Sequence, residues 1–274
     1  MNKFFKKGII ATAVALGLAG SANAASEALY WSVDETIVPS VQALIDSGFG
    51  PVGFDGTFDA NRLTFSYEAD ITQTSFVGPT ANFTEVGTFT ATQYFTGFVP
   101  GVSAGTQITS GLGGSYYSLF GDFTFTGTAT ILSANQLEVS VTGASLALWI
   151  DLKDGGTPYD LQIGQASSVM LGGAILNRPG EGQAANGSFE VVYDDFALVD
   201  PDGPLYWPSP DPFHLVLDVS AQVIALEGVF DLEGTEVSTN GDGSAYFSVP
   251  EPASLALLGL GLIGLGSIRR KQPA

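Results

Sequence analysis

No cysteine occurs among the 274 residues, which excludes disulfides, zinc thiolate sites, thiol catalysis and iron–sulfur clusters together. Histidine occurs once, as His214, so any Ser-His-Asp or histidine–metal chemistry must use that single ring. Charge is also scarce, at 14% of residues against about 25% in ordinary domains. Basic charge is scarcest of all. Six of the nine basic residues sit in the first seven and last six positions, while all 28 acids lie between Glu27 and Glu251. The stretch from Ala25 to Pro252 sets 28 acids against three bases, a net charge of −25. Such a surface repels phosphate backbones, so nucleic-acid binding is excluded as a main role. Glycine, with 35 residues, is abundant instead.

The two ends differ from the body. Lys3, Lys6 and Lys7 precede the apolar run Gly8–Ala19, and Ala22-Asn23-Ala24 supplies the small-x-small pattern that signal peptidase needs. Met1–Ala24 is therefore expected to be a signal peptide for Sec export, cleaved after Ala24 with Ala22 and Ala24 as the peptidase determinants. At the other end, residues 253–268 carry no charge and are followed at once by Arg269, Arg270 and Lys271. As a helix this run would span roughly 24 Å, somewhat short of a ~30 Å hydrocarbon core, which flanking residues can extend. The basic tail would stay cytoplasmic and stop transfer, leaving the body outside the inner membrane. Four glycines, Gly259, Gly261, Gly264 and Gly266, give this helix a smooth side for docking on another membrane helix.

Immediately before that run stands Pro250-Glu251-Pro252, in which two prolines hold a carboxylate in extended backbone. The order of motif, glycine-rich apolar stretch and arginine-rich tail resembles the PEP-CTERM sorting signal. The resemblance implies that an exosortase, a membrane transpeptidase, recognises Pro250, Glu251 and Pro252 and removes the tail. The expected organisation is a signal peptide over 1–24, an exported domain over 25–249 and a sorting signal over 250–274.

Between the ends the apolar period is two. Leu63, Phe65, Tyr67 and Ala69 alternate with polar neighbours, as do Phe123 and Phe125, and the odd positions from Phe213 to Ala225. After Gly143 the apolar set moves to even positions (Leu146, Leu148, Ile150), which predicts a bulge. A short helix is expected near Ser40–Ser47. Asn240-Gly241-Asp242-Gly243 predicts a turn joining strands at Glu236–Thr239 and Ala245–Val249. About ten such strands predict an all-β fold, an antiparallel β-sandwich of jelly-roll type, flanked by the signal helix and a transmembrane helix. The proline-rich stretch Asp200–Pro212 reads as a long surface loop.

Candidate chemistry in the body is sparse. Gly101-Val102-Ser103-Ala104-Gly105 matches the nucleophile-elbow pattern, but no amphipathic helix follows to expose Ser103 beside an oxyanion hole. His214 falls on the polar face of its strand. No catalytic set emerges, and the chain is read as not an enzyme. Asp194, Asp195, Asp200 and Asp202 are hard oxygen ligands and the candidates for calcium, although the spaced ligands of a calcium loop are missing. No other cofactor is expected. In Tyr30-Trp31, Tyr116-Tyr117 and Tyr206-Trp207 a strand would bury one ring and expose the other.

Several segments of the body also resemble the flocculation-associated PEP-CTERM proteins of Gram-negative bacteria: Trp31–Glu35, Gly187–Glu190, Tyr193–Phe196, Asp211–Leu215 and Asn240–Ala245. That resemblance implies a protein exported with exopolysaccharide to the cell surface or extracellular matrix, where it promotes flocculation or biofilm aggregation. Residues from about Phe76 to Tyr117 take no part in it. The alternative is a secreted carbohydrate-binding or glycan-hydrolysing protein that uses paired carboxylates.

Overall fold

The computed structural model describes residues 28–48, 55–100, 102–112, 116–133, 136–153, 159–177, 185–208, 214–223 and 236–248. Four strands of 16 or 17 residues dominate: β4 (Arg62–Val77), β5 (Thr80–Thr96), β7 (Ser118–Ser133) and β8 (Gln136–Asp151). With β10 (Val169–Asn177), β11 (Ala185–Tyr193), β13 (His214–Val223) and β14 (Glu236–Ser248) they form one ring. Its order is β4-β5-β7-β8-β10-β11-β13-β14, and β14 returns to pair with β4. Every pairing in the ring is antiparallel. The architecture is a closed, eight-stranded, up-and-down barrel.

The expected sandwich is therefore wrong. Alternation reports that one face of each strand is buried, and a barrel lumen buries that face as well as a second sheet would. What closes the sheet is strand length together with local coiling. Thr142 is an extra residue opposite the Thr126/Gly127 junction, as the parity change after Gly143 predicts, and Thr92 and Thr74 are extra in β5 and β4. Each bulge sharpens the twist that curls a long sheet onto itself.

Glycines relieve the crowded interior. A Cβ at Gly121 would lie 2.5 Å from the Phe89 ring, and one at Gly243 would lie 2.5 Å from that of Phe65. The second contact corrects the predicted turn at Asn240–Gly243. β14 runs without a break through these residues, pairing β13 on one side and β4 on the other. Its glycines make room for aromatic rings.

The lumen is filled. Phe65 lies 4.9 Å from Phe89 between ring centroids, and Phe123 lies 4.8 Å from Phe125. At the end where β4, β7 and β13 begin, the N-terminal segment and the stretch after β12 (Ala197–Leu198) supply the plug. Trp31, from β2 (Trp31–Asp34), packs 4.9 Å from Phe247, and Trp207 lies 5.5 Å from the same ring. β2 pairs with β3 (Thr57–Ala60), and between them runs the expected helix, α1 (Pro39–Ser47), started by proline and ended by Gly48 at φ +68°. The stretch 200–208 is not the surface loop expected. It contains a short helix, α2 (Asp202–Tyr206), and buries both Tyr206 and Trp207. The other two pairs divide as predicted, with Tyr30 and Tyr116 exposed and Trp31 and Tyr117 buried.

β9 (Leu161–Ala166) pairs with the far half of β8 and carries β12, so it branches from the ring. No helix among the described residues is long and apolar enough to cross a membrane. Residues 1–24 and 253–268, where the signal and membrane helices were expected, lie outside the described residues.

Candidate functional site

Of the acids proposed for calcium, Asp194 and Asp195 make structural contacts. The Asp195 carboxylate accepts hydrogen bonds from the backbone N–H groups of Ser167 and Ser168 and from the Ser167 hydroxyl, at 2.7–3.1 Å. Asp194 accepts from the Ser168 hydroxyl at 2.7 Å. Together they clamp the turn between β9 and β10. Partial burial pushes the Asp195 carboxyl up, and these donors outweigh it, holding the group below the usual carboxylate range. Asp202 opens α2, and no group of three metal-ligating side chains gathers among the described residues.

Ser103 lies in a tight loop where Val99 bridges to it, and its hydroxyl accepts from Gly105 N–H at 3.2 Å. No helix follows, so the elbow geometry is missing. His214 begins β13, half-buried, opposite Ser248. Pro250, Glu251, Pro252, the basic residues Arg269, Arg270 and Lys271, and the peptidase determinants Ala22 and Ala24 lie outside the described residues.

The outer wall carries a groove. Across β14, β4, β5, β7 and β8 the register aligns outward side chains in rows. One row is Asn240, Glu68, Thr88, Asp122 and Ala147. The next is Ser238, Asp70, Val86, Thr124 and Ser145. Between the two runs a row of inward-facing residues centred on Gly87, which presents only backbone outward. The result is a groove of about 680 Å³ that crosses the strands. A neighbouring hollow of about 430 Å³, on the other side of the first row, is lined by Ser66, Thr90 and Asp242. Neither is lined by a lysine or arginine.

Aromatics stand beyond the Asp122 rim of the groove. Phe120 and Trp149 face each other across β7 and β8, and Tyr159 stands edge-on to both rings at 5.2 Å. Tyr159 is 47% exposed, and the negative charge of Asp122, which lines the groove, raises the phenol's pKa.

Two buried carboxyls went unpredicted. Glu35 is fully buried, accepting from the Tyr117 hydroxyl and from Gly111 N–H, each at 2.6 Å. Because Tyr117 spends its proton on Glu35, it accepts from Tyr206 at 2.7 Å. Tyr206 in turn accepts from Tyr94 at 2.9 Å. This relay ties the N-terminal segment, α2, β5 and the start of β7 into one plug. Burial raises the Glu35 carboxyl to about 7 despite those donors. Glu85 points into the lumen, with no hydrogen-bond partner among the described residues, and burial raises it to about 7. The signal for Glu85 was present: it occupies an inward position in the series Phe83, Glu85, Gly87, Phe89. Glu35 follows Asp34 in a polar-looking turn and gave none.

A third unpredicted feature lies on the outside. Glu190 and Asp218 are directly opposite each other on β11 and β13, and burial raises both carboxyls. Arg62 favours the charged form of Asp218 and packs its guanidinium 4.9 Å from the Phe98 ring.

These features define a closed barrel with a polar, hydroxyl-rich wall, followed in the chain by a short C-terminal tail. That tail decides the class: residues 248–271 match the family of the PEP-CTERM protein-sorting motif. The motif makes this an exported protein targeted to an exosortase and anchored in the membrane before processing. No curated protein and no solved structure matches the chain.

Proposed function

We propose that the processed barrel is a non-enzymatic protein of the cell surface or extracellular matrix, which promotes flocculation or biofilm aggregation together with exopolysaccharide. The sorting motif carries this reading, because it commits the chain to export and exosortase processing. The body adds support. A closed barrel is a rigid module, and a wall of serine, threonine and asparagine suits many weak polar contacts summed by multivalency. A net charge of −25 over Ala25–Pro252 keeps bare copies apart at short range, so aggregation needs a polymer between them. The segment likeness to flocculation-associated proteins points the same way.

The test is settling of a strain with the gene cleanly deleted, beside the complemented strain. Dispersed growth that the full-length gene restores to flocs is the expected result, and undisturbed flocculation of the deletion strain would refute the role. Glycan hydrolysis stays as a second reading because Glu190 and Asp218 form a facing carboxyl pair with raised pKa values. It requires turnover of exopolysaccharide by purified protein that Glu190→Gln abolishes.

A further inference from the structure

We infer that the groove across β14, β4, β5, β7 and β8 binds a single strand of uncharged polysaccharide, with Tyr159, beside the Asp122 rim, as the stacking residue. The inference rests on the aggregation reading for its partner, but its argument is local. Four interstrand spacings of ~4.8 Å give the groove a length of about 19 Å, enough for a run of several sugar rings lying across the strands. The floor row Ala69, Gly87 and Phe123 points its side chains into the barrel, so a flat ring in the groove can approach the backbone. Sugar hydroxyls both donate and accept, and the two rows answer with hydroxyls that do the same, the Asn240 amide, and carboxylates that accept.

Charge sets the class of polymer. Glu68, Asp70 and Asp122 line the groove and no basic side chain answers them, so a polyanionic glycan is repelled along its length. The neighbouring aromatics distinguish the groove from a merely acidic surface. Phe120 and Trp149 pack edge-on against Tyr159, so an exposed ring is held beside the rim that Asp122 forms. Such a ring loses little freedom on binding and offers apolar area to the hydrogen-bearing face of a sugar.

The experiment uses the purified full-length chain and titrates dextran, laminarin and a cello-oligosaccharide by calorimetry, with alginate as the polyanion. Expected is binding of at least one uncharged glycan and none of alginate. Tyr159→Ala, which removes the ring, and Thr88→Arg, which fills the groove, should each weaken binding about tenfold or more. Both positions are exposed, and an unchanged melting temperature verifies that the variants fold. Failure to bind any of the three uncharged glycans overturns the inference, as does affinity unchanged in both variants or a preference for alginate. Settling of the deletion strain is scored separately. Loss of flocculation with glycan affinity insensitive to the groove variants would refute the groove and leave the aggregation role standing. Normal flocculation with groove-dependent binding would do the reverse.

Discussion

Glu85 sets a pH dependence of stability that can be worked from its surroundings. Its carboxyl lies inside the barrel with no hydrogen-bond partner among the described residues, and burial alone raises it from 4.5 to about 7. The folded protein therefore holds this proton more tightly than the unfolded chain. Below about pH 4.5 both states are protonated, and the group makes no difference. From there to about pH 7 the unfolded chain releases its proton first, so stability falls as pH rises. Above about pH 7 the loss is complete, and a shift of this size corresponds to about 3 kcal/mol. The assay is urea denaturation at pH 5 and pH 8, for the wild type and Glu85→Gln. Glutamine does not titrate, so the variant should lose about 2.5 kcal/mol less between the two pH values, because at pH 5 the unfolded carboxyl is already partly ionised. Comparing slopes removes the cost of burying the new amide and most of the background from the other acids. Parallel loss of stability in the two proteins would refute the reasoning.

Other predictions address single contacts. Gly121→Val should destabilise the barrel by about 1–3 kcal/mol or prevent folding, since the first added carbon already meets the Phe89 ring at 2.5 Å; thermal melting measures it. Tyr117→Phe removes the donor to Glu35 and breaks the tyrosine relay, for a cost of about 1–3 kcal/mol, and should raise the Glu35 pKa further. That carboxyl can be followed by NMR. Asp195→Ala should free the Ser167–Ser168 turn, seen as faster amide exchange at those two residues, while millimolar calcium leaves the wild-type melting temperature unchanged.

Much of the local structure was legible in the sequence. Leu63, Phe65, Tyr67 and Ala69 of β4 and Leu215, Leu217 and Val219 of β13 do face the core, and the shift after Gly143 does mark a bulge. These are statements about neighbouring residues, which a period of two encodes directly. Closure is different. Whether β14 returns to β4 or stops at an edge depends on accumulated twist over eight strands, and no short window carries it. The Asn-Gly-Asp-Gly run misleads for a related reason. Its turn propensity is real, but Phe65 and Tyr67 on the neighbouring strand need the space those glycines leave, and that need arises only once the strands pair. Tyr206 and Trp207 were hidden in the same way, because a proline-rich stretch signals a loop whether or not the loop folds back onto the core. Of the site, the hydroxyl-rich alternation was visible strand by strand. The alignment of Glu68, Thr88 and Asp122 into one row required the register.

Closure also bears on how such a protein can bring cells together. An exported β-module with open edges could associate by adding strands, the route that leads to uncontrolled aggregation. In the ring each strand pairs with a neighbour on both sides, so the barrel wall offers other molecules mainly side chains. Those side chains are mostly small and polar, and the charge around them is negative. Direct barrel-to-barrel adhesion is then opposed twice, by the lack of free strand edges and by repulsion between like charges. In the proposed role a third component must bridge the copies, and its chemistry is constrained: long enough to reach several barrels, rich in hydroxyls, and free of negative charge. An uncharged polysaccharide meets all three conditions, which is why the wall rather than the lumen is the place to look for contacts.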